Sequence, residues 1–296
     1  MRIRAASSIG VVLIALVPTI LGGPFFALLM IAIGVIGFRE FLTIARYIGP
    51  AWPGGADTNF LAGALAIVAF GVVASLEHGA TLLPIVLAFT VGLPLVGVLA
   101  HPPGAGSVSA WSWIVAGVLY LAVPVYMAID LRSAPGVAAS WLERLAFATA
   151  FTWPATARGL AWVLLVLLTI WVADSAAYLV GRSFGRRPLA PLISPKKTIE
   201  GSLGGLLGAV IVAAACWRAF GLGPDLLPAI PIGLALGIAG QIGDLCESAL
   251  KRAASIKDSG NLIPGHGGML DRVDALLFAF PVGWGLAAAI DRWLIV

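Results

Sequence analysis

Charge is what this sequence has least of. Asp, Glu, Lys and Arg make up 11% of its 296 residues, where a soluble globular domain carries about 25%. Hydrophobic residues make up 60%. That is more apolar surface than one soluble core can hide, so the composition implies a membrane protein with several spans. Cysteine is scarce too. Cys216 and Cys246, both in apolar surroundings, make neither a disulfide framework nor a spaced metal site and read as small buried hydrophobes. The three histidines, His78, His101 and His266, are scattered, which argues against zinc. A net charge of +4 on so few Lys and Arg is no footprint for nucleic acid. Gly 36 and Pro 19 fit a membrane chain, where both residues are more frequent than in soluble helices.

What is present is apolar runs. Nine candidate membrane segments can be read, at about 5–21, 23–45, 60–76, 80–99, 109–130, 159–180, 201–221, 226–244 and 274–293. The opening MRIRAASSIGVVLIALVPTILG resembles a signal peptide, but the next apolar segment follows almost at once. It therefore reads as a first span that is kept. The run from Ile9 to Phe38 is nearly unbroken, and Gly22 to Pro24 is where it divides.

Lys and Arg in the short loops set the orientation. With the N-terminus in the cytoplasm, the inner side holds Arg2, Arg4, Arg39, Arg46, Arg182, Arg186, Arg187, Lys196, Lys197, Lys251, Arg252, Lys257 and Arg272, thirteen of the eighteen. The other side holds Arg132, Arg144, Arg158, Arg218 and Arg292, and the loop with the first three is the misfit. The expectation is an all-α polytopic membrane protein of about nine transmembrane helices, N-terminus cytoplasmic. With no organellar targeting feature, the bacterial cytoplasmic membrane is the expected location. No linker or clean repeat is visible. The organisation is read as N-terminal membrane helices over 1–157 and a catalytic membrane region over 158–296, its polar loops facing the cytoplasm.

The polar residues that remain stand out. Asp174 lies inside the sixth segment, and a carboxylate in hydrocarbon must face a protein interior, a wet cavity or a cation. Tyr178 is one turn on, on the same face. The stretch GRSFGRRPLAPLISPKKTIEGSLGG adds Arg182, Arg186, Arg187, Lys196, Lys197, Ser194 and Thr198. Pro195 ends any helix before it, and Thr198 with Glu200 and Gly201 opens the next span. A helix N-terminus beside lysines suits an anion. In GQIGDLCESALKRAASIKD, read as a helix running past the membrane surface, Asp244, Glu247 and Lys251 share one face, with Ser248 and Arg252 nearby.

The densest stretch, KDSGNLIPGHGGMLDRVD, follows at 257–274. It opens with Lys257 and Asp258 and contains neither GxxxxGK[ST] nor GxGxxG. His266 sits between Gly265 and Gly267 in a turn whose glycines allow close backbone approach. Asp271 and Asp274 follow at i and i+3 as the last span begins. With Asp244, and Asp258 as a further candidate, they offer oxygen ligands only, which suit Mg²⁺ or Mn²⁺. Magnesium beside lysines and arginines points to phosphates. The residues alone read as a membrane enzyme with a magnesium–phosphate site at the cytoplasmic face.

SALKRAASIKDSGNLIPGHGGMLDRVD, Ser248 to Asp274, resembles the signature of the phosphatidate cytidylyltransferases, or CDP-diacylglycerol synthases. The matching positions are Ser248, Lys251–Arg252, Lys257–Asp258, Pro264 to Gly268, and Asp271, Arg272 and Asp274. Asp174, Tyr178, Gly181, Gly185, SPKKTIEG at 194–201 and Gly243–Asp244 resemble the family as well. Ala275, where many members have serine, and Ile199, where an aromatic is common, depart from the pattern.

The resemblance implies that phosphatidate attacks the α-phosphorus of CTP, giving CDP-diacylglycerol and pyrophosphate. It implies a Mg²⁺ requirement, a second cation in the carboxylate cluster, and a homodimer among membrane lipids. On this reading Asp244 and Asp271 hold magnesium, with Asp274 and Asp258 as further or indirect ligands. Asp174 completes the cluster or steadies a lysine. Lys196, Lys197, Lys251, Lys257, Arg252 and Arg272 hold phosphates, and Ser194, Thr198 and Ser248 donate hydrogen bonds. His266 and Gly267 belong to the turn whose backbone approaches a phosphate. The alternatives are a CTP-dependent polyprenol or other lipid kinase, a secondary transporter, and a noncatalytic assembly protein.

Overall fold

A computed structural model describes residues 13–49, 56–99, 105–149, 157–260 and 267–294. Nearly all of this is helix. Helix α1 covers residues 13–21, and after a break at Gly22 come α2 (Gly23–Ile48) and α3 (Ala56–Ala74). A 3₁₀ turn, Gly79–Leu82, leads into α4 (Leu83–Leu99), followed by α5 (Ala105–Arg132), α6 (Ser140–Thr149) and α7 (Ala157–Phe184). Two short antiparallel strands, β1 (Pro188–Ala190) and β2 (Ser194–Thr198), precede α8 (Ile199–Phe220), α9 (Ala229–Ala253) and α10 (Leu270–Leu294).

Among the described residues seven helices are long and apolar enough to cross a membrane: α2, α4 with the turn before it, α5, α7, α8, α9 and α10. The chain is an all-α multi-pass membrane protein. The expected segment 60–76 is present as a shorter apolar helix, Asn59–Ala74. The expected segment 5–21 lies partly outside the described residues, with 13–21 helical. The amphipathic α6 fell in a stretch read as loop. Cys216 is buried as expected, but Cys246 is exposed.

Backbone contacts divide the chain into two compact units. One combines Met1–Phe26, Asp130–Ala249 and Asp274–Val296; the other combines Ala27–Ile129 and Leu250–Val273.

In the first unit, α7 and α8 run antiparallel. The small residues of α8 face α7, so that a Cβ on Gly201 would meet the Ala177 carbonyl at 2.8 Å and one on Gly205 the Ala173 carbonyl at 3.0 Å. Such faces let membrane helices approach where no hydrophobic effect drives them together. The same stripe continues as buried Ala209, Ala213 and Trp217. Trp217 packs edge-on against Trp162 of α7, with ring centroids 6.0 Å apart. On the opposite stripe Leu203, Leu207 and Ile211 are exposed, as lipid-facing residues should be. The Trp141 Nε1–H of α6 donates to the Ala219 carbonyl near the end of α8, 3.0 Å.

The second unit packs aromatic rings against small residues. Gly63 of α3 faces the Phe38 ring, and Gly117 of α5 faces Phe41. Phe41 also contacts Tyr120 at 5.8 Å between ring centroids.

Candidate functional site

Two polar clusters carry the expected residues, one in each unit.

In the first unit, the α7–α8 connection must turn the chain within about a dozen residues. Glu200, in the first turn of α8, holds that connection. Its carboxylate accepts from the Arg186 and Arg187 backbone N–H groups at 3.0 and 3.2 Å, and from Arg187 Nε at 3.0 Å. Thr198 is the N-cap of α8, its hydroxyl accepting from the Gly201 N–H at 3.1 Å. A side-chain cap of this kind satisfies one of the N–H groups that a helix start leaves without an internal acceptor.

Lys196 and Lys197 precede this cap on β2, where alternation sends them to opposite faces. Lys196 is exposed. Lys197 forms an ion pair with Asp244 of α9, with both side chains about one-third exposed. Asp174 of α7 interacts electrostatically with both Asp244 and Lys197. Asp174 is exposed, and a carboxylate within an apolar span calls for such charged neighbours. Ser248 Oγ donates to Asp244 Oδ1 at 3.3 Å. One turn deeper, Ser202 Oγ donates to Gln241 Oε1 at 2.5 Å, and Gln241 Nε2 donates to the Ser202 carbonyl at 3.0 Å. This reciprocal pair fixes the register of α8 on α9, and so of Lys197 on Asp244. Gly243 lies against the backbone of Asp274 and Ala275. α9 and α10 thus meet beside Asp244, and Asp274 lies at that crossing.

In the second unit the centre is Asp271, in the first turn of α10. Its Oδ2 accepts from the Ser259 N–H (2.9 Å), Ser259 Oγ (2.9 Å) and the Gly268 N–H (2.8 Å). Its Oδ1 takes the Lys251 ammonium at 2.5 Å, with both side chains 13% exposed. Gly267 has φ +80°, and a Cβ there would meet Asp271 Oδ2 at 2.7 Å, so the turn requires glycine at that place. The second carboxylate of the cluster is Glu40 of α2. It accepts from the Met269 N–H (2.9 Å) and the Leu270 N–H (2.8 Å), and its Oε2 lies 3.0 Å from Ser259 Oγ.

The expected residues fall out as follows. Asp174, Lys197, Asp244 and Ser248 form the first unit's cluster; Thr198 caps α8, the Asp274 backbone lies against Gly243, and Ser194 is half-buried on β2. Lys251, Gly267 and Asp271 belong to the second. Arg252, Lys257, Asp258 and Arg272 are exposed, and Arg252 Nη1 donates to the Ile256 carbonyl at 3.3 Å. His266 lies outside the described residues. Glu40, Ser259 and the Ser202–Gln241 pair were not singled out from the sequence, and Glu200 was read only as part of the start of α8. Glu40 carried a usable signal, a carboxylate within an apolar segment.

Among the described residues no three His, Cys, Asp or Glu side chains form a ready metal cage. Magnesium does not need one, because it keeps several waters and takes one or two carboxylates plus substrate phosphates. Asp174 and Asp244, hard oxygen donors beside a lysine, fit that manner of binding.

The profile of the cytidylyltransferase family matches residues 2–289. A phosphatidate cytidylyltransferase of Bacillus subtilis (strain 168) is 46% identical over 130 residues, which cover 44% of this chain and 48% of that protein. One of Staphylococcus aureus (strain COL) is 41% identical over 132 residues, 45% of this chain and 51% of that protein. One of Staphylococcus epidermidis (strain ATCC 12228 / FDA PCI 1200) is 41% identical over 125 residues, 42% of this chain and 48% of that protein. The chain spans about half the length of the relatives it matches.

Proposed function

The chain belongs to the cytidylyltransferase family, and from that membership we propose that it transfers the cytidylyl group of CTP to phosphatidate. The observation that carries the reading is the meeting of Lys197, Asp244 and Asp174. Three elements separated in sequence deliver one cation and two carboxylates within electrostatic reach of one another in a membrane protein. That is the equipment phosphoryl-group chemistry needs, because its transition state asks for placement and charge neutralisation more than for covalent help.

A phosphate oxygen of phosphatidate attacks the α-phosphorus of CTP, a new P–O bond forms, and the bond to pyrophosphate breaks. The nucleophile is already an anion, so no strong base is required. Asp244 and Asp174, with Asp274 at the adjoining crossing, are the carboxylates of the first unit that would hold Mg²⁺ or Mn²⁺. The bound cation would supply charge that offsets the triphosphate and the leaving pyrophosphate. Lys197 exchanges its carboxylate partner for a phosphate as substrate arrives, and Lys196 serves the other face of β2. In the second unit Lys251, oriented by Asp271, is a fixed cation for a phosphate group, and Arg252, Lys257 and Arg272 add exposed positive charge.

The positive-inside rule supports a cytoplasmic face for the basic loops after α7 and α9, which two crossings separate. With nine spans, the same rule supports a cytoplasmic N-terminus. The family resemblance supports a homodimer, checked by light scattering in detergent.

The test is turnover by purified protein with phosphatidate, Mg²⁺ and CTP labelled at the α- or the γ-phosphate. Label from the α-position in CDP-diacylglycerol, lost with EDTA and at least about 100-fold lower in D244N, is the expected result. Lipid labelled from the γ-position only would identify a kinase. The absence of any labelled lipid across several lipids and cations would overturn the reading.

A further inference from the structure

We propose that Glu40, in the first quarter of the chain, is a positioning residue for the reaction. It holds Ser259 and the start of α10 so that Asp271 fixes the Lys251 ammonium. This rests on the reading that Lys251 meets a phosphate.

Glu40 lies within the apolar α2 and is 9% exposed. A carboxylate so placed is costly unless its oxygens are satisfied. Both are. Oε1 accepts from the Met269 N–H, and Oε2 accepts from the Leu270 N–H and lies 3.0 Å from Ser259 Oγ. Met269 and Leu270 stand where α10 begins, and the first N–H groups of a helix have no internal acceptor and favour a negative partner.

The chain of contacts then runs inward. Ser259 Oγ lies between Glu40 Oε2 at 3.0 Å and Asp271 Oδ2 at 2.9 Å. A hydroxyl has one proton, so Ser259 donates to one carboxylate at a time and ties their positions together. Asp271 is further fixed by the Ser259 and Gly268 N–H groups and passes its orientation to Lys251. The glycines agree with this crowding. A Cβ on Gly260 would meet Glu40 Oε1 at 2.6 Å, and one on Gly268 would meet Glu40 Oε2 at 2.5 Å. Glu40 therefore reaches Lys251 through Ser259, the helix start and Asp271.

A helix cap with no further role would change stability and leave turnover alone. The full chain is compared in detergent–lipid micelles as wild type, Glu40→Gln, Ser259→Ala and the double variant. Thermal unfolding, kcat and KM for CTP, and the rate at which a small acylating reagent modifies Lys251 (read by mass spectrometry) are measured.

The expected result is a fall in kcat of about tenfold in each single variant, with KM for CTP within about threefold. The double variant should be no more than about twofold below the worse single, because both act along one path. Modification of Lys251 should rise at least about threefold in each single variant as its partner loosens. If Glu40→Gln does not fold, Ser259→Ala decides alone. Turnover within about twofold of wild type in the single variants, losses that multiply in the double, or unchanged Lys251 reactivity would each overturn the proposal. A wild type that makes no CDP-diacylglycerol overturns the reaction assigned above instead, and Lys251 reactivity then still decides what Glu40 does.

Discussion

Arg132 ends α5 with 2% of its surface exposed. Its Nε donates to the Thr19 carbonyl at 2.8 Å and its Nη2 to the Ile20 carbonyl at 3.1 Å, taking up acceptors that the end of α1 leaves without an internal donor. This removes one of the three charges from the misfit loop, since a buried guanidinium that caps a helix is not a loop charge. Arg132→Met should lower stability by about 2–4 kcal/mol, read as a lower melting temperature in detergent, because two carbonyls lose a charged donor. Its membrane orientation, read from reporter fusions, should not change. The same scale shows what the sequence reveals of the site. Asp174, Lys197, Asp244 and Asp271 were legible because a charge in an apolar chain needs a reason. Glu40 obeys the same rule, but it lies in the segment 23–45, which was read for its apolar run alone. Ser259 and Gln241 carry no charge, and their roles depend on partners that spacing does not reveal.

At the scale of elements, α8 shows how one helix serves two solvents. Its glycines pack on α7, Ala209 and Ala213 lie against Gly237 and Gly233 of α9, and its leucine and isoleucine stripe is exposed. Gly205→Leu should cost about 2 kcal/mol and reduce turnover, since a Cβ there already meets the Ala173 carbonyl and the Ala177 Cβ at 3.0 Å. Leu207→Val on the lipid face should leave both within error. Thermal unfolding and the labelled-CTP assay check the pair. The start of α8 was legible because Thr198, Glu200 and Gly201 form a recognisable opening. The strands β1 and β2 were not, because Pro188, Pro191 and Pro195 interrupt any alternation that would mark them. Nor was α6, whose ten residues are held partly by Trp141 on the end of α8, a tertiary contact.

For the whole molecule, hydropathy located the apolar segments but not their grouping. The second unit joins Ala27–Ile129 to Leu250–Val273, and nothing local in either stretch announces the other. Orientation is open to direct test. In a background with Cys216 and Cys246 replaced by alanine, Leu192→Cys and Leu227→Cys place single thiols at exposed positions before and after α8. One crossing separates them. A membrane-impermeant maleimide should label position 192 only in inside-out vesicles and position 227 only in right-side-out ones. The Glu40–Ser259 contact also sets a timetable for synthesis, since its partners are 219 residues apart. At about 5–20 residues per second, roughly 10–45 s pass between the emergence of Glu40 and that of Ser259. Throughout that interval the carboxylate must be kept by water, lipid headgroups or the insertion machinery. In a pulse–chase experiment the region around α2 should remain open to protease until residues 259–270 have been made, and then close within one step.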